Sequence, residues 1–270
     1  MNPSVSIAIY GASGRMGQAI LRLAVRDPRT SVVAAIVRAD SGLRSQPLHG
    51  TLGADAGDLE YSTSVDAAAA PAVLIDFSSA QAFDEALATA LARKISFVSG
   101  TTGLASAQRT AMENAAVTIP VLWSSNFSMG VAVLMRLARD AARMLREWDC
   151  EIAEAHHRDK KDAPSGTALA LGHAIADARG DDFKRVAQLE RARQDARRDN
   201  TTIGFAVTRA GDIVGEHTVM FAGDGERIEL VHRATDREVF ARGAVEAAIW
   251  LARQRAGMYA LADVLEPRTP

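Results

Sequence analysis

One cysteine, Cys150, stands in 270 residues. That excludes an internal disulfide and any cysteine-rich metal site, and it is the usage expected in a reducing compartment. No apolar run approaches the roughly 20 residues of a membrane span. The opening MNPSVSIAIYG is too short and uncharged for a signal peptide, so a cytoplasmic protein with no membrane partner is expected. A basic excess is missing as well: 31 Lys and Arg face 33 Asp and Glu, for a net charge of −2. No nucleic-acid partner is implied, and attraction for an acidic ligand has to come from a local feature. What the chain does have is 48% apolar and 24% charged residues, enough for a substantial core in one or two domains.

The first half alternates. Short apolar stretches at 4–10, 32–37, 73–77, 95–99 and 119–123 read as buried strands, separated by helical patterns at 15–26, 81–93 and 106–116. Strand, helix, strand in this order implies a parallel sheet with right-handed crossovers. Residues 43–64 are polar and glycine-dotted, and no element is assigned to them. After Asn126 the rhythm changes to a long helix at 129–145, a strand at 149–155 and a helix at 167–178. A stretch rich in both charges, 180–200, reads as a solvated linker or lid. Strands at 202–208, 216–222 and 227–234 follow, the last two joined by the hairpin signal Gly223-Asp224-Gly225. A final amphipathic helix at 239–255 is expected to return to the first domain.

Gly11-Ala12-Ser13-Gly14-Arg15-Met16-Gly17 lies between the first strand and its helix. There Gly11 permits a tight turn, Gly14 lets backbone approach a pyrophosphate, and Gly17 lets helix and strand pack closely. The spacing is GxxGxxG, not the standard GxGxxG. The second strand ends Val37-Arg38-Ala39-Asp40. An arginine there accommodates the 2′-phosphate of NADP and an acid holds the ribose of NAD, so Arg38 favours NADPH while Asp40 leaves NADH open. Gly100-Thr101-Thr102 and Ser124-Ser125-Asn126-Phe127 follow two further strands and are expected at the same sheet edge. The fold class expected is α/β, a Rossmann-like dinucleotide-binding domain (1–127 plus 237–270). A second, α+β domain (128–236) carries an open, mainly antiparallel sheet.

The densest chemistry is EIAEAHHRDKKDAPSGTA, 151–168. On a strand, neighbouring side chains point to opposite faces, so His156 and His157 cannot address one atom. With no third ligand at metal spacing, no metal is expected. One histidine is assigned to proton transfer and the other to substrate contact, and Lys160 supplies a cation. Ser165, Gly166 and Thr167 open the next helix. Ser165-Gly166-Thr167 reads as its cap, and the free N–H groups there suit a carboxylate. His49, His173, His217 and His232 stand alone and are read as ordinary surface histidines.

In these motifs the chain resembles the dihydrodipicolinate reductases (4-hydroxy-tetrahydrodipicolinate reductases) of lysine and diaminopimelate biosynthesis. The family signature E-[IV]-x-E-x-H-x-x-x-K-x-D-x-P-S-G-T-A is matched by Glu151, Ile152, Glu154, His156, Lys160, Asp162, Pro164, Ser165, Gly166, Thr167 and Ala168. GASGRMG, Gly100-Thr101-Thr102-Gly103, Ser125-Asn126-Phe127-Ser128 and the run from Arg209 to His217 resemble it too. The resemblance implies that His156 is a proton donor or acceptor, Lys160 a proton donor, and that His157, Gly166 and Thr167 hold a cyclic dicarboxylate. It also implies that Gly11, Ala12, Ser13, Gly14, Arg15, Met16, Arg38, Gly100, Thr101, Thr102, Ser124, Ser125, Asn126 and Phe127 bind a nicotinamide cofactor, and that the second domain joins a homotetramer. Members that use NADH well often carry Glu where Val37 stands. Two alternatives remain open: a related NADP-dependent dehydrogenase of another small carboxylate, and a non-catalytic NADP-sensing protein.

Overall fold

The strand β1, Val5–Tyr10, is buried along nearly its whole length, as befits a parallel strand covered on both faces. The computed structural model describes residues 4–53, 56–66, 69–191 and 197–265. By internal contacts the chain divides into two compact units, 1–129 with 238–270 and 130–237.

In the first unit, β1 is followed by α1 (Arg15–Ala24), β2 (Thr30–Ile36), a single turn α2 (His49–Leu52) and β3 (Tyr61–Ser62). Then come β4 (Val73–Asp76), α3 (Ala80–Arg93), β5 (Ser96–Ser99), α4 (Ser106–Ala116) and β6 (Pro120–Trp123). The two short elements α2 and β3 lie in the stretch to which the sequence pattern assigns nothing. They are too brief to leave a periodicity. The sheet runs β12–β6–β5–β4–β1–β2–β3, where β12 is Gly257–Tyr259 near the end of the chain. Every adjacent pair is parallel. The order reverses at β1, between β4 and β2, which is the switch point where open α/β sheets hold ligands. The helix α8, Glu238–Leu251, packs against α1, β4, β5 and β6. Its Gly243 lets the loop after β6 lie close: a Cβ there would meet the Phe127 carbonyl oxygen at 1.7 Å.

The second unit begins with α5 (Met129–Met144), β7 (Asp149–His156) and α6 (Gly166–Arg179). A single turn α7 (Phe183–Val186), β8 (Ala187–Gln188), β9 (Ile203–Arg209), β10 (Gly215–Gly223) and β11 (Glu226–Ala234) complete it. Part of the stretch read as a linker thus forms α7 and β8, while 192–196 lie outside the described residues. The sheet order is β11–β10–β7–β9–β8. The pair β11–β10 is antiparallel, as the hairpin signal implies, and so is β10–β7. β9 then joins β7, and β8 joins β9, in parallel, so the sheet is mixed. Leu134, Ala138 and Ala142 of α5 and Leu171 and Ile175 of α6 pack on Cys150, Ile152, Val219 and Phe221. Alternation puts Ala153, Ala206, Thr208 and Val231 on the other face, where they are exposed.

Candidate functional site

At the switch point, Gly11 takes φ +80 and Gly14 caps α1 without any side-chain hydrogen bond. A Cβ on Gly11 would lie 2.7 Å from the Phe77 carbonyl oxygen, and one on Gly17 2.3 Å from that of Gly11. Both glycines are therefore demanded by close backbone approach. No acid stands in the first turn of α1, so its N–H groups and positive dipole end remain suited to a phosphate. A cavity of about 540 Å³ opens here, lined among others by Gly11, Ser13, Gly14, Arg38, Phe77 and Ser78. Arg38 is 80% exposed, 3.3 Å from the Asp40 carboxylate.

Several residues expected at this cofactor site are turned away from it. Ala12 is fully buried and gives its N–H to the Ile36 carbonyl. The Thr101 hydroxyl donates to Asp76 at 2.8 Å, and the Phe127 ring lies 5.1 Å from that of Phe77, buried. The backbone of Ala12 and Thr101 is committed as well: the Ala12 carbonyl accepts from Gln18, the Thr101 N–H donates to Ser99 Oγ and the Thr101 carbonyl accepts from Trp123. Arg15 and Met16 stand on the first turn of α1, with Arg15 exposed. Gly100, Thr102, Ser124, Ser125 and Asn126 follow β5 and β6 at the carboxyl edge of the sheet. The Ser124 hydroxyl donates to the Asn126 carbonyl at 2.6 Å, and Asn126 Oδ1 accepts the Ser128 N–H at 2.8 Å.

Asp76, to which the sequence reading gives no role, organises this edge. It is fully buried and accepts from the hydroxyls of Ser78 (2.5 Å), Ser99 (2.8 Å) and Thr101. Burial raises its pKa, and the hydroxyl hydrogen bonds oppose that. An acid ending the otherwise apolar run Val73-Leu74-Ile75 is the signal that marks it.

The second constellation is built on β7, β9, β10 and the loop into α6. Glu154 and His156 are two residues apart and so share a face of β7. Both are buried, with His156 Nδ1 2.5 Å from Glu154 Oε2. Parallel pairing sets Arg209 of β9 beside His156, and its guanidinium grips both Glu154 oxygens at 2.8 Å. The Ser165 N–H adds a third donor to Glu154 at 2.9 Å. Burial works to raise the Glu154 pKa, yet the bonds from Arg209, His156 and Ser165 hold it below the ordinary range. Burial also lowers the His156 pKa; Glu154 opposes, and the charges of Lys160 and Arg209 assist.

Lys160 is 22% exposed, its Nζ 2.9 Å from the Asp162 carboxylate, so it is a paired cation. His157 is half-buried and its carbonyl accepts the Lys160 N–H. Ser165 caps α6 through the Ala168 N–H at 3.2 Å, which fits its reading as a cap. Gly166 is exposed, with nothing within 4 Å of where a Cβ would stand, and its N–H donates to the Asp162 carboxylate. His217 departs from its reading as a surface histidine. It is 3% exposed, its Nε2 lies 3.3 Å from Ser165 Oγ, and its ring is 5.2 Å from that of His156. Its pairing opposite Glu154 comes from the antiparallel β7–β10 register, which no local pattern announces.

Comparison with known proteins gives one answer along the chain. Residues 5–127 match the model of the dihydrodipicolinate reductase N-terminus, and residues 130–265 that of its C-terminus. The chain belongs to the dihydrodipicolinate reductase family. A 4-hydroxy-tetrahydrodipicolinate reductase of Stenotrophomonas maltophilia is 46% identical over 260 residues, covering 96% of this chain and 97% of the relative. That of Pseudoalteromonas atlantica is 44% identical over 269 residues, covering 96% and 98%. Among solved structures, the dipicolinate-bound dihydrodipicolinate reductase of Paenisporosarcina sp. TG-14 superposes with a TM-score of 0.75. It is 23% identical, over 97% of this chain and 100% of that one, and supports the fold. The family together with the parallel sheet and its glycine turn indicates a nicotinamide cofactor. Among the described residues, no helix is long and apolar enough to cross a membrane.

Proposed function

We propose that this dihydrodipicolinate reductase family member uses NADPH to reduce 4-hydroxy-tetrahydrodipicolinate to tetrahydrodipicolinate, with loss of water, in the cytoplasmic synthesis of diaminopimelate and lysine. The observation that carries the reading is the second constellation. A buried histidine at the end of β7, a lysine on the loop after it and the exposed N-terminus of α6 lie close together in the second unit, in a chain matched to the family over both halves. Water leaves first, the ring hydroxyl departing with a hydrogen of the adjacent carbon, and a bound nicotinamide would then supply a hydride to one carbon of the double bond so formed. The neighbouring carbon then takes one proton, which completes the two-electron reduction.

In this reading Lys160 delivers that proton and His156 holds or passes one. His157, Ser165, Gly166 and Thr167 bind the two carboxylates, aided by the positive end of the α6 dipole. Gly11 to Met16, Arg38, Gly100 to Thr102 and Ser124 to Phe127 hold the cofactor. Arg38 faces the 2′-phosphate. No carboxylate occupies position 37, so NADPH is preferred; Asp40 leaves NADH usable. The exposed sheet face with Ala153, Ala206, Thr208 and Val231 supports assembly of the second units into a homotetramer. The test is loss of NADPH absorbance with enzymatically generated hydroxy-tetrahydrodipicolinate. Turnover is expected. Nucleotide binding with no turnover of any dicarboxylate points instead to a sensor.

A further inference from the structure

A neutral imidazole offers a proton on one nitrogen and a lone pair on the other, and only its surroundings decide which. Around His156 those surroundings are unusually restrictive. Glu154 Oε1 faces the Ser165 N–H (2.9 Å) and Arg209 Nη2 (2.8 Å); Oε2 faces Arg209 Nη1 (2.8 Å) and His156 Nδ1 (2.5 Å). An ionised carboxylate only accepts, and with Arg209 on both oxygens Glu154 is ionised. Nδ1 must therefore carry the proton, which leaves the lone pair on Nε2. That nitrogen lies toward Gly215, where a Cβ would come within 3.1 Å, and it has no hydrogen-bond partner among the described residues.

The charges that face the ring are Glu154 from its own strand, Arg209 from β9, and Lys160 with its partner Asp162 from the loop; the titratable ring of His217 from β10 adjoins it. Arg209 cancels the Glu154 charge, so the carboxylate orients the ring without forcing it into the imidazolium form. The same guanidinium reaches the carbonyls of Asp162 (2.6 Å) and Lys160 (3.3 Å). One buried pair thus ties the histidine to the loop that carries the lysine. A buried ion pair adds little net stability compared with apolar side chains of similar volume. Fold stability alone is a weak reason for this arrangement, in which the imidazole shares an oxygen with the arginine.

We propose that Glu154 and Arg209 are positioning residues: Glu154 fixes His156 as the Nδ1–H tautomer with Nε2 free toward substrate, and Arg209 holds the Lys160 loop in register with it. This rests on the proposed function for the meaning of Nε2, but its test does not. Nitrogen NMR of histidine-labelled, ligand-free protein at neutral pH reads the tautomer directly, with His156→Gln assigning the signal. The wild type is expected to carry its proton on Nδ1. In Glu154→Gln the amide NH2 faces Nδ1, so the proton moves to Nε2. There kcat falls roughly ten- to hundred-fold while KM for NADPH stays unchanged. Arg209→Lys keeps the charge but has no fork to span both carbonyls, and loses kcat with the tautomer retained.

A wild-type imidazole protonated on Nε2 overturns the proposal, and that spectrum suffices even where Glu154→Gln fails to fold. So does a folded Glu154→Gln with tautomer and kcat unchanged, and wild-type kcat in Arg209→Lys removes the loop half. Absence of dicarboxylate turnover by the wild type sinks the proposed function and leaves the tautomer result standing.

Discussion

Lys160 and His156 differ in how far their surroundings have committed them. The lysine, partly exposed and 2.9 Å from Asp162, is a charged donor that can swing from one carboxylate to another. The histidine is buried and held on one side. Lys160→Ala is therefore expected to remove most of kcat while NADPH titrated into the variant still binds normally. Near-normal turnover takes Lys160 out of the chemistry. Gly215→Ala probes the other partner. Its Cβ, 3.1 Å from His156 Nε2, has to displace the ring by a few tenths of an ångström. A displacement of that size is expected to cost about tenfold in kcat with the cofactor dissociation constant unchanged; full activity shows that Nε2 has slack there. Neither Gly215 nor Arg209 stands out in the sequence as a neighbour of His156, more than 50 residues away. Glu154 was within reach, because an acid two positions before a histidine on a strand shares its face.

At the scale of elements, the N-terminus of α6 does two jobs. Ser165 Oγ caps the helix through Ala168 N–H, and the Ser165 N–H is spent on Glu154. The Gly166 N–H meets the Asp162 carboxylate, so a substrate carboxylate bound at this helix end would take the place of Asp162. A double change of Ser165 and Thr167 to Val is expected to raise the dicarboxylate KM several-fold, with kcat much less affected. Loss of the cap also costs about 1 kcal/mol of stability, readable as a lower melting temperature. An unchanged KM in the folded variant excludes α6 as the anion site. The helices longer than one turn and most strands were legible beforehand, since each carries its own period and its own turn residues; the single turns α2 and α7 were not. β3, β8 and β12 were not. They have two or three residues apiece, and their place is set by the neighbour they pair with.

For the molecule as a whole, buried histidines make stability depend on pH. Burial, with help from the charge of His156, lowers the His217 pKa to about 4, and His156 and His232 are lowered in the same direction by burial. A lowered pKa means the unfolded chain binds protons first, so stability is full above about pH 6.5 and lost as pH falls toward 4. The His217 share is up to about 3 kcal/mol. Urea unfolding at fixed protein concentration should show this slope in the wild type and a flatter one in His217→Asn; an equal slope assigns the effect elsewhere. The sequence by itself determined the alternation of the first unit, the glycine turn with its tight backbone approach, and the loop that gathers His156, Lys160 and Ser165. These are local, because turn chemistry, strand alternation and helix capping act over a few residues. Only the tertiary structure decided that β9 runs parallel to β7, that Arg209 and His217 close around Glu154 and His156, and that Asp76 ties Ser78, Ser99 and Thr101 together. Strand register is a property of two distant segments at once, settled by which faces they can bury together.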